Sequence, residues 1–279
     1  MNLRTIGWLP VLVVALFAGA FLSSCSPADE EADGIVVGRP ADVATLDPHA
    51  SLSAPCTQVV SNVIETLVYL DEDLELHPRL AESWEWVSDT KLRFHLREGV
   101  QFHDGEPFNA EAVKFSIERV LDPDAGLPGR GSISSVTSIE VVDEYTVDIM
   151  TDVPYVPLLR QLSVPYSAGI VSPKAVRELG DDFAASPVGT GPFTVEEWSR
   201  DDYVLLHRFE QYWGQQAEVA WVKFVVTPEE SVRLMSLKTG EADMITNPPA
   251  AELADLREDP DYVVHEVPGI RIFFAGMVT

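Results

Sequence analysis

The sequence predicts an α/β fold, and two patterns in its 279 residues carry the prediction. Val219 to Val226 is an apolar run typical of a buried strand, a helical pattern follows it, and Ala242 to Ile245 is again short and apolar. A strand–helix–strand unit of this length favours a parallel crossover. Apolar residues make up 46% of the chain, which is enough to build a core.

The first half of the chain alternates between strand and helix patterns. Ile35 to Gly38 is predicted as a buried strand, and the apolar stripe within 58–70 predicts a helix. Trp84 to Phe102 is predicted as sheet, since Leu92, Phe94 and Leu96 alternate with polar residues.

A second helix and a hairpin come next. The helix is predicted to begin after an N-cap at Asn109 and to end at Asp122-Pro123. The hairpin joins a strand from Val136 to one at 145–149 through a polar turn. Residues 151–174 hold four prolines and are predicted to be irregular or interrupted structure.

The last third contains the predicted crossover helix and shorter elements. Thr227 is predicted as the N-cap of a capping box with Glu230, and Gly240 as the C-terminal stop. Leu253 and Leu256 indicate a short helix. Strands are predicted at Tyr262 to Val267 and at 270–276.

The first 25 residues are predicted to be a lipoprotein signal peptide and not part of the fold. Arg4 precedes an apolar run, Ile6 to Leu22, that is shorter than the ~20 residues of a membrane-spanning helix. Small residues then lead to Cys25, which we expect to be lipidated and to become the mature N-terminus. An ordinary cleaved signal or an uncleaved helix is the alternative. Residues 26–34 are predicted to be a flexible tether.

The charge and the cysteine content exclude several classes of protein. A formal net charge of −26 argues against nucleic-acid binding, because the phosphate backbone would be repelled. Cys56 is the one cysteine after the predicted signal, so an internal disulfide is not expected, and it is interpreted as a small buried residue.

No catalytic, metal or cofactor motif stands out, so we expect neither an enzyme, a metal site nor a cofactor. The six histidines include no pair at metal-ligand spacing, and His103-Asp104 precedes Gly105 in what is interpreted as a turn. The segment Gly189-Thr190-Gly191 lacks the spacing of a phosphate loop. Carboxylates are too numerous for any pair to stand out as a glycosidase couple.

Several segments, taken in order, resemble the extracellular solute-binding proteins of family 5, the peptide- and nickel-type binding proteins of ABC importers. The matching segments are Thr45-Leu-Asp-Pro-His-Ala-Ser51, Asn62-Val-Ile-Glu-Thr-Leu-Val-Tyr69, Pro78-Arg-Leu-Ala-Glu-Ser-Trp84, Phe94 to Gly105, Pro107 to Ser116, Pro187-Val-Gly-Thr-Gly-Pro-Phe193, Tyr212-Trp-Gly214 and Leu237 to Asp243.

The resemblance implies a fold like that of type II periplasmic binding proteins, in which two lobes enclose a cleft and one lobe carries an extra subdomain. Residues 35–50 and 176–268 would form the first lobe, and residues 51–175 the appended subdomain. Residues 269–279 would form the strand that crosses toward a second lobe. Because family members are about twice as long as this chain, the second lobe is expected to be absent from it.

The resemblance also implies a function and a site. The protein would be a membrane-anchored lipoprotein of the periplasm or cell surface that passes a peptide or similar solute to an ABC permease and its ATPase. An extended ligand would pair with the backbone of Leu52, Ser53 and Ala54, and Phe273 and Phe274 on the crossing strand would line the cleft. The alternative for Leu52 and Phe274 is that they are core residues.

Two other functions stay open at this stage. A ligand sensor could use the same fold to report to a membrane receptor, and an exported hydrolase is the third possibility. The sequence does not choose among oligopeptide, dipeptide, nickel chelate, haem and opine as the solute.

Overall fold

The computed structural model describes residues 33–266 of the chain, and they lie within a single compact unit. The strands are β1 Gly34–Arg39, β2 Val68–Leu70, β3 Leu76–Pro78, β4 Ala81–Ser88, β5 Lys91–Leu96, β6 Val136–Asp143, β7 Thr146–Thr151, β8 Phe193–Ser199, β9 Tyr203–Arg208, β10 Trp221–Val226 and β11 Met244–Ile245. The helices are α1 Ala54–Val60, α2 Ala110–Leu121, α3 Leu158–Gln161, α4 Pro165–Ala168, α5 Pro173–Leu179, α6 Glu230–Thr239 and α7 Leu253–Glu258.

A five-stranded mixed sheet has the order β11-β1-β10-β9-β8. Strand β1 is parallel to both β10 and β11, whereas β9 and β8 are antiparallel to their neighbours. The connection β10–α6–β11 therefore crosses over β1, which confirms the predicted parallel α/β unit. The carboxyl ends of the three parallel strands lie at one edge of this sheet.

A second, four-stranded sheet is antiparallel throughout, with the order β4-β5-β7-β6. The predicted hairpin is β6–β7, and the predicted alternation is present on β5, where Leu92, Phe94 and Leu96 are buried. Helix α2 packs on this sheet, and the side chain of its predicted N-cap Asn109 accepts a hydrogen bond of 3.1 Å from the Ala112 N–H. Strands β2 and β3 form a separate two-stranded hairpin.

The prediction of a helix within 58–70 is wrong for most of that range, because α1 ends at Val60 and β2 begins at Val68. The apolar residues in between are buried, but their carbonyl groups bind distant segments instead of the next helical turn. Gly191 N–H donates to the Val63 carbonyl at 3.0 Å. A Cβ at Gly189 would lie 2.3 Å from that same carbonyl oxygen, so only glycine fits.

Three predictions near the end of the chain have different outcomes. Helix α6 begins at Glu230 and not after Thr227, because the Thr227 N–H donates to the Arg39 carbonyl and so continues the pairing of β10 with β1. Gly240 ends α6 with φ of +77°, as predicted. The short helix α7 is also as predicted, but residues 262–266 form no strand.

Two apolar cores lie under the sheets. The first is built around the four-stranded sheet and α2, and the second lies against the five-stranded sheet and contains the buried residues of α1 and the following segment, up to Ile64. The predicted division into a lobe and a subdomain stays a prediction. The second core packs α1 with the five-stranded sheet, although residues 51–175 were assigned to the subdomain.

A single buried carboxylate joins segments that are far apart in sequence. Glu65 is 1% exposed and accepts hydrogen bonds from the Thr190 hydroxyl (2.9 Å), the Tyr212 hydroxyl (2.9 Å) and the Trp213 indole N–H (2.8 Å). The Arg79 guanidinium lies 3.6 Å from the same carboxylate. Burial raises the pKa of Glu65, because it disfavours the charged carboxylate. The free-energy cost of burying that charge is offset by the four cationic or hydrogen-bonding partners.

Replacing Glu65 by Ala is expected to lower the free energy of unfolding by about 3 kcal/mol, because one buried and two partly buried donors would lose their acceptor. Glu65→Gln keeps one acceptor oxygen, so its free energy of unfolding is expected to fall by less. Urea unfolding monitored by tryptophan fluorescence gives the comparison. The control is Glu140→Ala, whose side chain is 59% exposed in its ion pair with Lys91. If Glu65→Ala and Glu140→Ala lowered the free energy of unfolding equally, that result would contradict the structural role of Glu65.

Candidate ligand-binding site

The segment between Asp47 and α1 presents an exposed, extended backbone. A short 3-10 helix, Pro48–Ala50, leads into Ser51 with φ −148° and ψ 138°. Leu52 is 53% exposed, and its backbone N–H and carbonyl make no hydrogen bond with any residue between 33 and 266. By contrast, both backbone groups of Ser53 form hydrogen bonds. Its N–H donates to Ser51 Oγ at 3.1 Å, and its carbonyl accepts from the Thr57 N–H. The N–H and carbonyl of Leu52 alone are thus left free to pair with an extended ligand.

A buried ionic network fixes the start of this segment. Arg119 on α2 donates from Nη1 to Asp47 Oδ1 at 3.1 Å and from Nη2 to Asp47 Oδ2 at 2.5 Å. Asp47 also accepts from the His49 N–H at 3.0 Å. Burial alone would raise the pKa of Asp47, but the Arg119 guanidinium holds it below its usual value. A bidentate pair of this kind sets direction as well as distance.

His49 is fully buried, and its tautomer follows from its partners. Arg119 cannot accept a hydrogen bond, so at 2.7 Å it must donate to His49 Nδ1, and Nε2–H then donates to the Gly169 carbonyl at 2.8 Å. Burial and the Arg119 charge lower the pKa of His49 to about 4. The imidazole is therefore a neutral structural link at physiological pH.

Two buried guanidinium groups lie at the carboxyl edge of the five-stranded sheet. Arg39, at the end of β1, is 2% exposed and donates from Nη2 to the Pro55 carbonyl at 2.6 Å, which ties α1 to the sheet. Its Nε and Nη1 have no partner in the described part of the chain. Arg233 on α6 is 1% exposed. It donates to the carbonyl oxygens of Thr227, Pro228, Thr246 and Asn247.

Within residues 33–266 neither guanidinium forms an ion pair. Buried positive charge without a carboxylate partner favours an anion nearby. In open α/β sheets this carboxyl edge is also where ligands bind. Two buried cations thus lie at this edge of a chain that is acidic as a whole, and Asp42 is a carboxylate that acts on Arg39.

The structure places three of the six predicted site residues. Leu52, Ser53 and Ala54 are all exposed, so they are not core residues. Cys25, Phe273 and Phe274 lie outside the described residues.

Sequence reasoning missed Arg119 and Arg39. Arg119 acts on a residue 72 positions away, and no local pattern marks that partnership. The predicted turn at His103-Asp104 is confirmed, with His103 Nε2 donating to the Gly191 carbonyl at 2.9 Å.

Solved structures of solute-binding proteins match this fold. The structure of DppA from Helicobacter pylori in complex with the peptide STSA aligns with a TM-score of 0.75 and 31% identity, over 82% of this chain and 50% of that one. AgaA from A. tumefaciens R10 in complex with agropinic acid gives a TM-score of 0.77 and 32% identity, over 81% and 46%. The fold class is therefore that of the type II periplasmic binding proteins.

The chain belongs to the bacterial extracellular solute-binding proteins, family 5, whose middle-region model matches residues 75–279. It is 32% identical over 273 residues to the glutathione-binding protein GsiB of Salmonella typhi, which covers 97% of this chain and 52% of that protein. The chain thus spans about half the length of the curated relatives that it matches. Among residues 33–266 no helix is both long and apolar enough to cross a lipid bilayer.

The stability of the fold is expected to fall as the pH is lowered from about 6.5 to about 4. In that window an unfolded His49 binds a proton and the buried one does not, so the unfolded state gains protons first and stability decreases, by at most about 1.4 kcal/mol per pH unit. Urea unfolding at several pH values measures the slope.

His49→Gln should reduce this slope, since its amide can donate and accept without titrating. His95→Gln, whose side chain is 47% exposed, is the matched control and should keep the slope. If the free energy of unfolding of His49→Gln fell with pH as steeply as that of the unaltered chain, His49 would not be the cause of the slope.

Proposed function

We propose that this protein is the solute-capturing lipoprotein of an ABC importer, anchored through Cys25, and that it delivers a peptide or similar small solute to a permease and its ATPase. The observation that carries the proposal is the free backbone N–H and carbonyl of Leu52, which lies in an extended and exposed segment at the carboxyl edge of the parallel strands. Family membership supports the transport role.

The proposed ligand is a small solute with a backbone that can form hydrogen bonds and with an acidic group. The free N–H and carbonyl of Leu52 suit an extended peptide, which they would read by backbone shape and not by side chain. The unpaired charge of Arg39 behind α1 favours a ligand with a carboxylate. The matching relatives are described with glutathione, the peptide STSA and agropinic acid, and these also support a small solute.

In the proposed mechanism, this part of the protein supplies one wall of a cleft between two lobes. A ligand that contacts both walls stabilises the closed state, and only such differential contact can shift the equilibrium between the open and closed states. Phe273 and Phe274 would line the cleft beside Leu52, Ser53 and Ala54. The membrane anchor would raise the local concentration of loaded protein near its transporter.

Titration of the chain with the tetrapeptide Ser-Thr-Ser-Ala is expected to shift the amide NMR signals of Leu52 to Ala54 and to slow hydrogen exchange at Leu52. The affinity should be weaker than micromolar, because one wall buries only part of a ligand. NMR is chosen because it detects such weak binding. Leu52→Pro removes the free N–H and should abolish the effect, and Leu52→Ala, which keeps that N–H, should preserve it.

Binding that leaves the signals of residues 52–54 unchanged would refute this site. Catalytic hydrolysis of the peptide would refute the transport function itself. A glutathione titration run in parallel tests whether the site accepts a second small solute with a peptide backbone.

Cys25→Ala is expected to move the protein from the membrane fraction to the soluble fraction of the cells that produce it, because a diacyl anchor supplies most of the membrane affinity. Cys56→Ala is the matched control, since it removes the chain's other cysteine and should leave the protein in the membrane fraction. Mass spectrometry of the mature N-terminus should show the acyl chains. A mature N-terminus that carries no acyl chains in the unaltered protein would exclude the lipid anchor.

A further inference from the structure

Three side chains with metal-binding groups converge on the hairpin formed by β2 and β3. Asp71 follows β2, Glu75 precedes β3, and His77 lies within β3. One ligand atom from each of the three lies within 4.8 Å of the others. Both strands of the hairpin contribute, so the cluster depends on the fold of the turn.

The positions of Asp71 and His77 are fixed by separate contacts. Asp71 Oδ1 accepts from the backbone N–H groups of Asp73 (3.0 Å) and Glu75 (2.8 Å), which leaves Oδ2 facing His77 Nε2 at 2.6 Å. The His77 ring stacks on Tyr69, with 5.3 Å between ring centroids, and this contact lies outside the carboxylate cluster. The imidazole edge is therefore held toward the two carboxylates before any ion binds.

The negative charge of this turn is not neutralised by nearby cations. The side chains of Glu72, Asp73 and Glu75 form no ion pair in the described residues. The Arg79 guanidinium lies over the Tyr69 ring and 3.6 Å from Glu65, so it is engaged elsewhere. An ion arriving from solvent would meet a partly exposed site, because the His77 and Asp71 side chains are 39% and 29% exposed.

We propose that Asp71, Glu75 and His77 bind a divalent first-row transition-metal ion of the Zn²⁺ or Ni²⁺ class. One imidazole and two carboxylates suit such ions, and three protein ligands leave a position for water. Ligand atoms on one tetrahedral ion lie about 3.3 Å apart. The His77–Asp71 pair, now at 2.6 Å, must therefore open by about 0.7 Å, and ligand atoms as far as 4.8 Å apart must close by about 1.5 Å, which rotation of the exposed Glu75 side chain can supply. The ion would link β2 to β3, and its ligands include no residue of the segment between Asp47 and α1 that is proposed to bind the solute.

The sequence alone points away from this site. Its histidines show no metal-ligand spacing, and among its 45 Asp and Glu residues no pair stands out as metal ligands. Two other histidines have a single carboxylate partner each, namely His95 with Glu85 and His207 with Glu196. Over the part of the chain that the structure describes, only the hairpin adds a third ligand.

Calorimetric titration of the EDTA-treated protein with Zn²⁺, repeated with Ni²⁺, tests the proposal. We expect one saturable site per chain, with affinity at least tenfold weaker in His77→Gln and Glu75→Gln. His95→Gln and His207→Gln are matched controls that each remove a histidine paired with one carboxylate, and both should bind as the unaltered chain does. Far-UV circular dichroism of each ion-free variant checks that it is folded.

Nitrogen chemical shifts provide an independent measurement. Zn²⁺ binding should shift the His77 Nε2 resonance and leave those of His95 and His207 in place. Equal affinity in His77→Gln and the unaltered chain would show that the ions are held diffusely by the acidic surface, and that result would overturn the proposal. The absence of a saturable site would overturn it as well.

Discussion

The buried carboxylate of Glu65 is the interaction on which the arrangement of both sheets depends. Its hydrogen-bond donors lie 125 to 148 positions further along the chain, on the segment that precedes β8 and the one that follows β9. The chain around Glu65 is not helical, and a third distant segment binds its backbone, since the Ile170 N–H donates to the Glu65 carbonyl at 2.8 Å. Because a buried charge is stable only while its partners are present, these segments must come together for any of them to be stable.

The ligand segment, defined here as residues 51–53 between the 3-10 helix and α1, is attached to the rest of the fold at both ends. Helix α1 packs in the core of the five-stranded sheet and is tied to β1 by Arg39, so the end of the segment is fixed to that sheet. Its start is fixed through Asp47 and His49 to Arg119 on α2, which packs on the other sheet. Leu52 lies between these two attachments, and its backbone N–H and carbonyl are left free. Such preorganisation lowers the entropy that a bound ligand would lose on pairing with this backbone.

The elements that the sequence predicted correctly are those whose pattern is local. The alternation on β5, the capped helix α2 and the β6–β7 hairpin each follow from a few neighbouring residues. The failures have non-local causes, since the carbonyl groups of Val63 and Glu65 accept from residues more than 100 positions away and Thr227 pairs with β1 before α6 can begin. The ligand segment was found only through the family resemblance, because nothing in Leu52-Ser53-Ala54 itself marks an unpaired backbone.

Arg39 shows why some of the site lies beyond pattern reasoning. A guanidinium with two orphaned donors is a cost to the folded state, and a well-packed apolar residue of similar size would be expected to stabilise the sheet. Residues that break a local rule in this way concentrate where function needs them. Arg39 lies behind the segment proposed to bind the ligand, in a chain whose other charges are mostly acidic and mostly at the surface. A positive charge that solvent cannot screen, at the one edge where parallel strands end, is the arrangement that would attract an acidic solute to an acidic protein.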